Sequence, residues 1–331
     1  MASERCEVVG IGNAIVDVLA HADDAFLDDN GLNKGTMTLI DAAAAEALYA
    51  KMGPGVEVSG GSAANTIAAF ASLGGKGGFI GKVSDDQLGA IFRHDIRSLG
   101  IVFDTAPANK GPATGRCLVL VTPDAHRTLQ TFLGASAEIG PDDIDESLIA
   151  RSDVTYLEGY LWDRPKAKEA FEKAAAIAHA AGRRVALSLS DPFCVDRHRN
   201  DFARLVEQHV DILFANEDEI VSLYQVHSFA AALEQVRKDC EVAALTRSEK
   251  GSVVVADSVV HVLDAETVDE VVDTTGAGDA YAAGFLFGLT RGFDLKTCAR
   301  LGGIAAAEVI SHVGARPEVP LGDLVKAKLN W

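Results

Sequence analysis

The sequence lacks the features that would mark a secreted, membrane-spanning or disulfide-stabilised protein. Its five cysteines are scattered, odd in number and without CxxC spacing, which is typical of reduced thiols in a cytosolic protein and argues against a disulfide framework or a zinc site. The longest uncharged stretch, 58–75, is interrupted by Gly, Ser and Asn, so it predicts no membrane span. Residues 1–5 lead directly into a predicted strand without the pattern of a signal peptide. We therefore expect a cytoplasmic protein.

Basic residues are the minority among the charged side chains. The 331 residues include 30 Lys and Arg against 48 Asp and Glu, which gives a formal net charge of −18. Because nucleic acids and anionic membranes bind basic patches, this composition argues against both as partners. The acidic surface would also repel ATP at long range, so any phosphate site has to depend on local backbone donors. The length suffices for one large α/β domain with an accessory element, or for two domains.

One glycine-rich septet, Asp-Thr-Thr-Gly-Ala-Gly-Asp at 273–279, precedes the uncharged run 280–289. That run predicts a buried helix, and the first N–H groups of a helix have no internal partners and carry partial positive charge. Gly276 and Gly278 allow backbone conformations that turn successive N–H groups toward one point. With Ala277 between them, they predict an anion site, and phosphate is the usual anion at such sites.

Asp279 is the unusual member of the septet, because a bound phosphate would repel its carboxylate. Its position makes chemical sense if it accepts a proton, and we interpret it as a base beside a transferring phosphoryl group. The alternative is an ordinary loop with an Asp near the start of a helix, where the helix dipole also favours negative charge.

The apolar runs of the chain alternate with helical segments, which predicts a parallel sheet covered by helices on both faces. The predicted strands are 8–12, 79–83, 154–157, 185–189, 211–214 and 242–245, and the predicted helices include 86–99, 165–181 and 217–224. Sheets of this kind bind ligands at the carboxyl ends of their strands. The polar candidates that fall at such ends are Asp17, Asn65, 158–160, 190–193, 216–219 and Thr246.

Two further glycine patterns differ from the common nucleotide-binding loops. The stretch 10–15 lacks the third glycine of a dinucleotide-binding fingerprint, because Ile15 takes its place, and no helical pattern follows directly. The segment 81–89 is not a Walker A loop either. Lys76 occupies the position of the leading glycine, and Val83 replaces the Ser or Thr.

Taken in order, these motifs resemble the signatures of the ribokinase-like (PfkB) carbohydrate and nucleoside kinases. The septet at 273–279 is similar to the C-terminal signature of that family, and Gly-Gly-Ser-Ala-Ala-Asn at 60–65 to its N-terminal one. Asn-x-x-Glu at 216–219 resembles a third family motif. The stretch 12–17, Gly-Asn-Ala-Ile-Val-Asp, resembles the first strand of the adenosine kinase branch. The resemblance extends over nearly the whole chain.

The resemblance implies a single ribokinase-like kinase domain over residues 1–331. Its fold class would be α/β, a three-layer αβα sandwich with a mostly parallel central sheet. A small β-sheet lid would be formed by the discontinuous segments 13–60 and 104–134. The clearest hairpin pattern, 115–132, lies in the second segment. Arg127 in that hairpin would either reach phosphates on lid closure or be a solvated turn residue.

For the acceptor site, the resemblance implies two motifs and two aromatic residues. They are Asn13, Asp17, Gly60, Gly61, Ser62, Asn65, Phe132 and Tyr160. A carboxylate such as that of Asp17 can accept from two neighbouring sugar hydroxyls, and a turn Asp is the alternative. The aromatic residues would supply the flat apolar walls that a purine needs. Core packing is the alternative for Phe132, and the same choice is open for Trp162.

For the nucleotide side, the resemblance implies that Asn216 and Glu219 organise a hydrated Mg²⁺. This ion prefers oxygen ligands and keeps several waters. Ordinary capping is the alternative, because an Asn followed by acidic residues is common at a helix start. Thr246 and Gly251 belong to a segment that resembles the family's loop beside the bound ATP.

Two further expectations concern the C-terminal part of the chain. The turn 314–317 resembles the one that flanks the ATP adenine in ribokinase-like enzymes. In many members a monovalent cation such as K⁺ lies near residues that correspond to Asp273, Thr275 and Gly314, and the resemblance extends that expectation to this chain.

The expected function is ATP-dependent phosphorylation of the 5′-hydroxyl of adenosine to AMP, with Asp279 as general base and the 276–279 loop as anion hole. Glu158 and Asp191 add charge where the better-known adenosine kinases are apolar, and the middle of 60–65 differs as well. A ribose- or fructose-type sugar kinase and an inosine or guanosine kinase therefore stay open. A non-catalytic nucleoside sensor is the alternative from another class. We expect a monomer or a homodimer.

Overall fold

Two β-sheets contain the strands of the described residues, which are 5–124, 126–257 and 259–329 in a computed structural model. Of the residues discussed above, 1–4 and Ala125 lie outside this set. In chain order the strands are β1 (Cys6–Ile11), β2 (Ile15–His21), β3 (Met37–Leu39), β4 (Gly55–Gly60), β5 (Gly77–Ile80), β6 (Thr114–Val121), β7 (Arg127–Gly134), β8 (Ser152–Glu158), β9 (Arg184–Ser188), β10 (Ile212–Asn216), β11 (Val242–Thr246), β12 (Ser252–Ala256) and β13 (Val259–Leu263).

The large sheet has eight strands in the order β13-β12-β11-β10-β9-β8-β1-β5. All pairings from β5 to β11 are parallel, and β12 and β13 add two antiparallel strands at one edge. This arrangement confirms the predicted mostly parallel central sheet. Strands β12 and β13 were not predicted. The prediction relied on strands that alternate with helices, and no helix separates these two short β-branched runs.

Twelve α-helices occur among the described residues, and those that contact the large sheet lie on both of its faces. They are α1 (Asp24–Asp29), α2 (Ala42–Tyr49), α3 (Ser62–Ser72), α4 (Gln87–Ser98), α5 (Glu146–Ala150), α6 (Pro165–Ala180), α7 (Pro192–His209), α8 (Glu217–Tyr224), α9 (Phe229–Asp239), α10 (Ala277–Thr290), α11 (Leu295–Val309) and α12 (Leu321–Leu329). Within the described ranges, none of these helices has both the length and the apolar composition that crossing a bilayer requires.

Alternate residues of the parallel strands enter two separate hydrophobic cores. Val8 belongs to the core that includes residues of α3, α10 and α11, whereas its neighbour Val9 belongs to the core that includes residues of α6 to α9. Burial on both faces explains why these strands are apolar runs without polar alternation. Trp162 is fully buried in the second core and stacks on Phe202 with 5.5 Å between ring centroids. Trp162 is therefore a core residue.

The small sheet has five strands in the order β3-β7-β6-β2-β4. Its register pairs Asp17 with Cys117, and Cys117 with Thr131. Because successive side chains in a strand point to opposite faces, Asp17 and Thr131 share one face and Phe132 lies on the other. Helices α2 and α4 also contact this sheet. Only residues 12–14 separate β1 from β2, so the chain passes directly from the large sheet to the small one.

Helices α10 and α11 pack closely at Gly284, and we expect Gly284→Ala to destabilise the fold. An added Cβ would stand 2.4 Å from the carbonyl oxygen of Leu301, so the two helices would have to separate. Overpacking of this kind lowers the free energy of unfolding by about 1–3 kcal/mol, which urea denaturation can measure.

Gly303→Ala in α11 is the matched control for this substitution. Its added Cβ would find its nearest neighbour, Glu266, at 3.5 Å, which is an ordinary contact. We expect this change to be neutral or to stabilise by up to about 1 kcal/mol, since Ala favours a helix more than Gly does. Equal losses in the two variants would contradict the packing argument.

Candidate active site

Asp279 lies in the first turn of α10 and meets the N-terminal glycine motif across the fold. The hydroxyl of Ser62, in the first turn of α3, donates to Oδ1 of Asp279 at 2.6 Å. Burial raises the pKa of Asp279 to about 8, and the hydrogen bond from Ser62 opposes that rise. A carboxylate with a raised pKa that already accepts a hydrogen bond from a hydroxyl can take up a proton near neutral pH.

The backbone ahead of Asp279 requires glycine at one position. Gly276 caps α10 with φ of +80°, and an added Cβ would stand 2.6 Å from the carbonyl oxygen of Ala315. The N–H of Ala277 donates to the carbonyl of Thr274 at 3.2 Å. The N–H groups that open the helix, that of Gly278 among them, have no acceptor four residues earlier within it. This end of α10 can therefore bind an anion.

Asn13 is held by the carboxylate of Glu158, which the sequence placed at a strand end without predicting this contact. Glu158, at the end of β8, accepts from the side-chain amide and the N–H of Asn13 and from the N–H of Ala63 at 2.8 Å. The oxygen of the Asn13 side chain accepts from the Ser136 hydroxyl at 2.8 Å. Burial raises the pKa of Glu158 to about 7, while these three hydrogen bonds favour its ionised form. Glu158 thus links the start of α3 to the loop between β1 and β2.

The backbone of Gly60 and Gly61 lies close to Asp17 and Asn13. Gly61 has φ of +105°, and an added Cβ would stand 2.0 Å from the carbonyl oxygen of Asn13. At Gly60, an added Cβ would stand 2.4 Å from a carboxylate oxygen of Asp17. The Asp17 carboxylate has no hydrogen-bond partner among the described residues, and burial raises its pKa to about 6 against the charges of Arg316 and Arg127. It is free to accept from a ligand.

Arg316 enters this region from the turn after α11. Its Nε donates to Oδ1 of Asn65 at 3.1 Å, and its Nη1 lies 3.1 Å from Oδ2 of Asp95 in α4. The resemblance implied that this turn flanks the ATP adenine. The contacts of Arg316 with Asn65 and Asp95 were not predicted. An ion pair between residues 221 positions apart leaves no local signal in the sequence.

Asn216 and Glu219 form a reciprocal cap at the start of α8. The Asn216 side chain accepts from the N–H of Glu219 at 2.8 Å, while the two Glu219 oxygens accept from the N–H and the amide of Asn216 at 2.9 and 2.8 Å. Burial raises the pKa of Glu219 to about 7. The capping alternative is therefore present in the structure.

A magnesium ion also fits the chemistry of this pair. Each Glu219 oxygen accepts one hydrogen bond and keeps a second lone pair, and oxygen is the ligand that Mg²⁺ prefers. Over the described part of the chain, no group of three His, Cys, Asp or Glu residues could hold a metal by itself.

Asp273 connects three parts of the fold. It accepts from the N–H groups of Thr275 and Gly314, each at 3.0 Å, and pairs with Nη1 of Arg127 at 2.6 Å. The Arg127 and Asp273 side chains are only 8% and 7% exposed, so Arg127 is not the solvated turn residue that the sequence left open. The three residues expected near a monovalent cation are thus adjacent, with both N–H groups directed at the carboxylate.

The remaining predicted residues fall into two groups. Thr246 pairs with Asn216 in the register of β10 and β11, and Gly251, at φ of +78°, ends the turn that follows. The pKa of Tyr160 is raised by burial and then by the charges of Asp191 and Asp279. Phe132 is separate from these residues, since it lines a cleft of about 400 Å³ beside β3.

Comparison with known proteins identifies the family. A model of the pfkB family carbohydrate kinases matches residues 37–321. The chain belongs to that family. A solved adenosine kinase from Sinorhizobium meliloti superposes with a TM-score of 0.91 and is 52% identical, and the alignment covers 98% of this chain and 100% of that one.

Two sequence relatives indicate the range of acceptors within the family. An adenosine kinase of Saccharomyces cerevisiae is 27% identical, over 93% of this chain and 95% of its own length. An ATP-dependent ribose-1-phosphate kinase of Halopiger xanaduensis is 31% identical, over 82% and 86%. The family match and the superposition confirm the ribokinase-like fold, and they support kinase activity.

We expect the buried Asp279 carboxylate to destabilise the folded protein as pH rises. Its folded pKa of about 8 exceeds the value of about 4 that is typical of an unfolded chain, so between these values the folded state holds a proton that the unfolded state has lost. Stability therefore falls from about pH 4 to about pH 8, where the loss levels off. Asp279→Asn removes this ionisation and should raise the melting temperature more at about pH 8 than at about pH 5.

Asp142→Asn, at an exposed position in the turn before α5, is the control for this comparison. Its melting temperature should follow that of the wild-type protein over the whole pH range. If Asp279→Asn and the wild-type protein differ by the same amount at both pH values, the carboxylate does not titrate in this window, and the burial argument is wrong.

Proposed function

We propose that this kinase transfers the γ-phosphoryl group of ATP to the 5′-hydroxyl of adenosine, giving AMP and ADP. The observation that carries the proposal is the hydrogen bond from the Ser62 hydroxyl to the buried Asp279 carboxylate. A protein hydroxyl occupies the place from which an acceptor hydroxyl would donate to Asp279. The high identity to an adenosine kinase supports the choice of acceptor.

In the proposed mechanism, Asp279 is the general base. It accepts the proton of the acceptor hydroxyl as the oxygen attacks the γ-phosphorus in line with the leaving ADP. The backbone of Gly276, Ala277 and Gly278 at the N-terminal end of α10 forms an anion hole for the charge that develops on the transferring group. The proton moves from the hydroxyl oxygen to Asp279, and the β-phosphate oxygen leaves with the bond electrons.

The nucleotide side of the proposal uses the ends of β10 and β11. Glu219 and Asn216 would hold a hydrated Mg²⁺, and this ion neutralises phosphate charge when bound. Thr246, at the end of β11 and paired with Asn216, and Gly251, at the end of the turn that follows, would contact ATP. We include a monovalent cation such as K⁺ near Asp273 as an activator, since the implied loops are adjacent there.

In the proposed acceptor site, Asp17 is the central residue. Its free carboxylate would accept from ribose hydroxyls beside Gly60, Gly61 and Asn65, while Asn13, held by Glu158, would line the pocket. Tyr160 would supply an apolar wall for the purine. Phe132 would contact the acceptor only through the cleft beside β3 that it lines.

The small sheet would act as a lid over this pocket within a single domain of residues 1–331. It is formed by the segments that the resemblance implied, 13–60 and 104–134. Closing it would exclude water and so limit hydrolysis of ATP. The buried pair of Arg127 and Asp273 supports a contact between this sheet and the septet loop.

A sugar or sugar-phosphate kinase is the second candidate, because a relative with 31% identity is a ribose-1-phosphate kinase. We expect adenosine to give the highest kcat/KM, by about tenfold or more, when ADP release is measured with adenosine, inosine, guanosine, ribose, fructose and ribose-1-phosphate in parallel. A higher value for ribose or ribose-1-phosphate would assign the second candidate. Absence of turnover with all six would favour a nucleoside sensor.

A second experiment tests the role of Asp279. Asp279→Asn should reduce kcat at least about a hundredfold, the lower range for losing a general base, while adenosine binding measured by calorimetry stays close to the wild-type value. In the wild-type enzyme, kcat/KM should rise with pH toward the pKa of about 8, because the base has to be ionised. Asp142→Asn should behave as wild type, and near-normal turnover of Asp279→Asn would make this carboxylate structural.

A further inference from the structure

Glu308 is a buried carboxylate that the proposed mechanism leaves unused. It lies in the last helical turn of α11, and its side chain is 8% exposed. Its Oε1 accepts from the N–H groups of Glu318 and Val319 at 3.0 and 3.2 Å, and these residues lie ten and eleven positions further along the chain. Nε2 of His312 lies 3.2 Å from the same oxygen. One carboxylate oxygen therefore joins the end of α11 to the chain that leads into α12.

The segment that Glu308 closes is residues 310–320, which we call the C-terminal turn. Every residue of this segment is described, and none lies in a helix or a strand. Without a regular ladder of backbone hydrogen bonds, its path depends on individual contacts. It begins at a fixed point, since the carbonyl of Ile310 accepts from the N–H of Val272 at 2.8 Å. Glu308 fixes the other end through the two N–H groups that it accepts from.

The middle of the C-terminal turn packs directly on the septet. Ala315 lies so close to Gly276 that an added Cβ on the glycine would stand 2.6 Å from the carbonyl oxygen and 2.7 Å from Cα of Ala315. The N–H of Gly314 donates to Asp273, the first residue of the septet, at 3.0 Å. Gly276 caps α10, so the position of the turn affects the N–H groups that begin this helix.

A purely structural role is the alternative, in which Glu308 only stabilises the end of α11. Burying a carboxylate is unfavourable unless hydrogen bonds compensate it. Here the compensation comes from the turn, since the three donors at Oε1 all belong to residues 312–319, while Oε2 is buried without a partner among the described residues. Loss of the carboxylate would therefore release the turn, and with it the surface on which Gly276 packs.

We propose that Glu308 is a positioning residue whose carboxylate holds the C-terminal turn against the septet, so that the N–H groups at the start of α10 stay directed at the transferring phosphoryl group. This inference rests on the proposed function, because it assigns the effect of Glu308 to the anion hole at Gly276, Ala277 and Gly278. Glu308 acts through the backbone of the turn and is not itself part of the anion hole.

The kinetic test compares the wild-type enzyme with Glu308→Ala and Glu308→Gln. Glu308→Ala should lower kcat by about ten- to a hundredfold, the range for losing a group that positions a catalytic one, while the KM for adenosine and its binding measured by calorimetry stay at the wild-type values. Glu308→Gln retains an oxygen that can accept from both N–H groups, so it should recover most of the lost rate. Glu308→Asp, one methylene shorter, replaces Glu308→Ala if that variant does not fold, and the same loss of kcat is expected.

Asp294→Ala is the matched control, since Asp294 caps the opposite end of the same helix by accepting from the N–H and the hydroxyl of Thr297 at 3.1 and 2.8 Å. It should lower the melting temperature and keep the wild-type kcat. Assays at the same interval below each melting temperature separate a weakened helix from a displaced turn. A wild-type kcat in Glu308→Ala, or the same loss of kcat in Asp294→Ala, would overturn the inference.

Hydrogen exchange in the ligand-free protein tests the same coupling without any turnover. In Glu308→Ala, the peptides that cover the C-terminal turn and the septet should both exchange faster than in the wild-type protein, whereas Asp294→Ala should leave both unchanged. Faster exchange in the turn alone would overturn the inference, because the turn would then not position the septet. If both peptides respond but the wild-type protein phosphorylates no acceptor, the positioning of the septet by Glu308 stands and the proposed kinase reaction fails.

Discussion

Four carboxylates at the candidate site have raised pKa values, and the need to accommodate their negative charge shapes the rest of the site. Burial raises the pKa of Asp17, Glu158, Glu219 and Asp279, because a low-dielectric interior penalises the charged form. Each is compensated differently. Glu158 accepts from backbone N–H groups and an amide, Glu219 from the N–H and the side-chain amide of the capping residue Asn216, and Asp279 from a hydroxyl. For Asp17, the charges of Arg316 and Arg127 oppose the rise in pKa.

The same constraint favours the backbone as the phosphate-binding element of the proposed mechanism. The chain carries a net charge of −18, and the two arginines near the site are already paired, Arg127 with Asp273 and Arg316 with Asp95. The N–H groups at the start of α10 carry partial positive charge and stay donors at every physiological pH. They can therefore face a phosphate beside Asp279 without adding another titrating charge to a crowded interior.

The large sheet and the main motifs could be predicted because their signals are local. Apolar runs mark buried parallel strands, and short motifs such as Asn216 to Glu219 stay adjacent in space. The face on which Phe132 lies depends on pairing with distant strands, which no single strand reveals. The contacts of Arg127, Arg316 and Glu158 join residues that are far apart in the chain. Charged side chains at such positions look like ordinary surface residues until the fold brings their partners together.

The connections of the chain between the two sheets determine where the small sheet would rotate. Asn13 separates β1 from β2, and Gly61 separates β4 from α3. The two are in contact, since a Cβ on Gly61 would stand 2.0 Å from the Asn13 carbonyl oxygen. Ser136, just beyond β7, donates to the same Asn13 at 2.8 Å. Rotation of the small sheet would therefore pivot at the acceptor pocket itself. Residues at the rotation axis would move least, and those at the opposite end of the small sheet would move most. Contacts with a bound ligand could therefore be kept throughout the rotation.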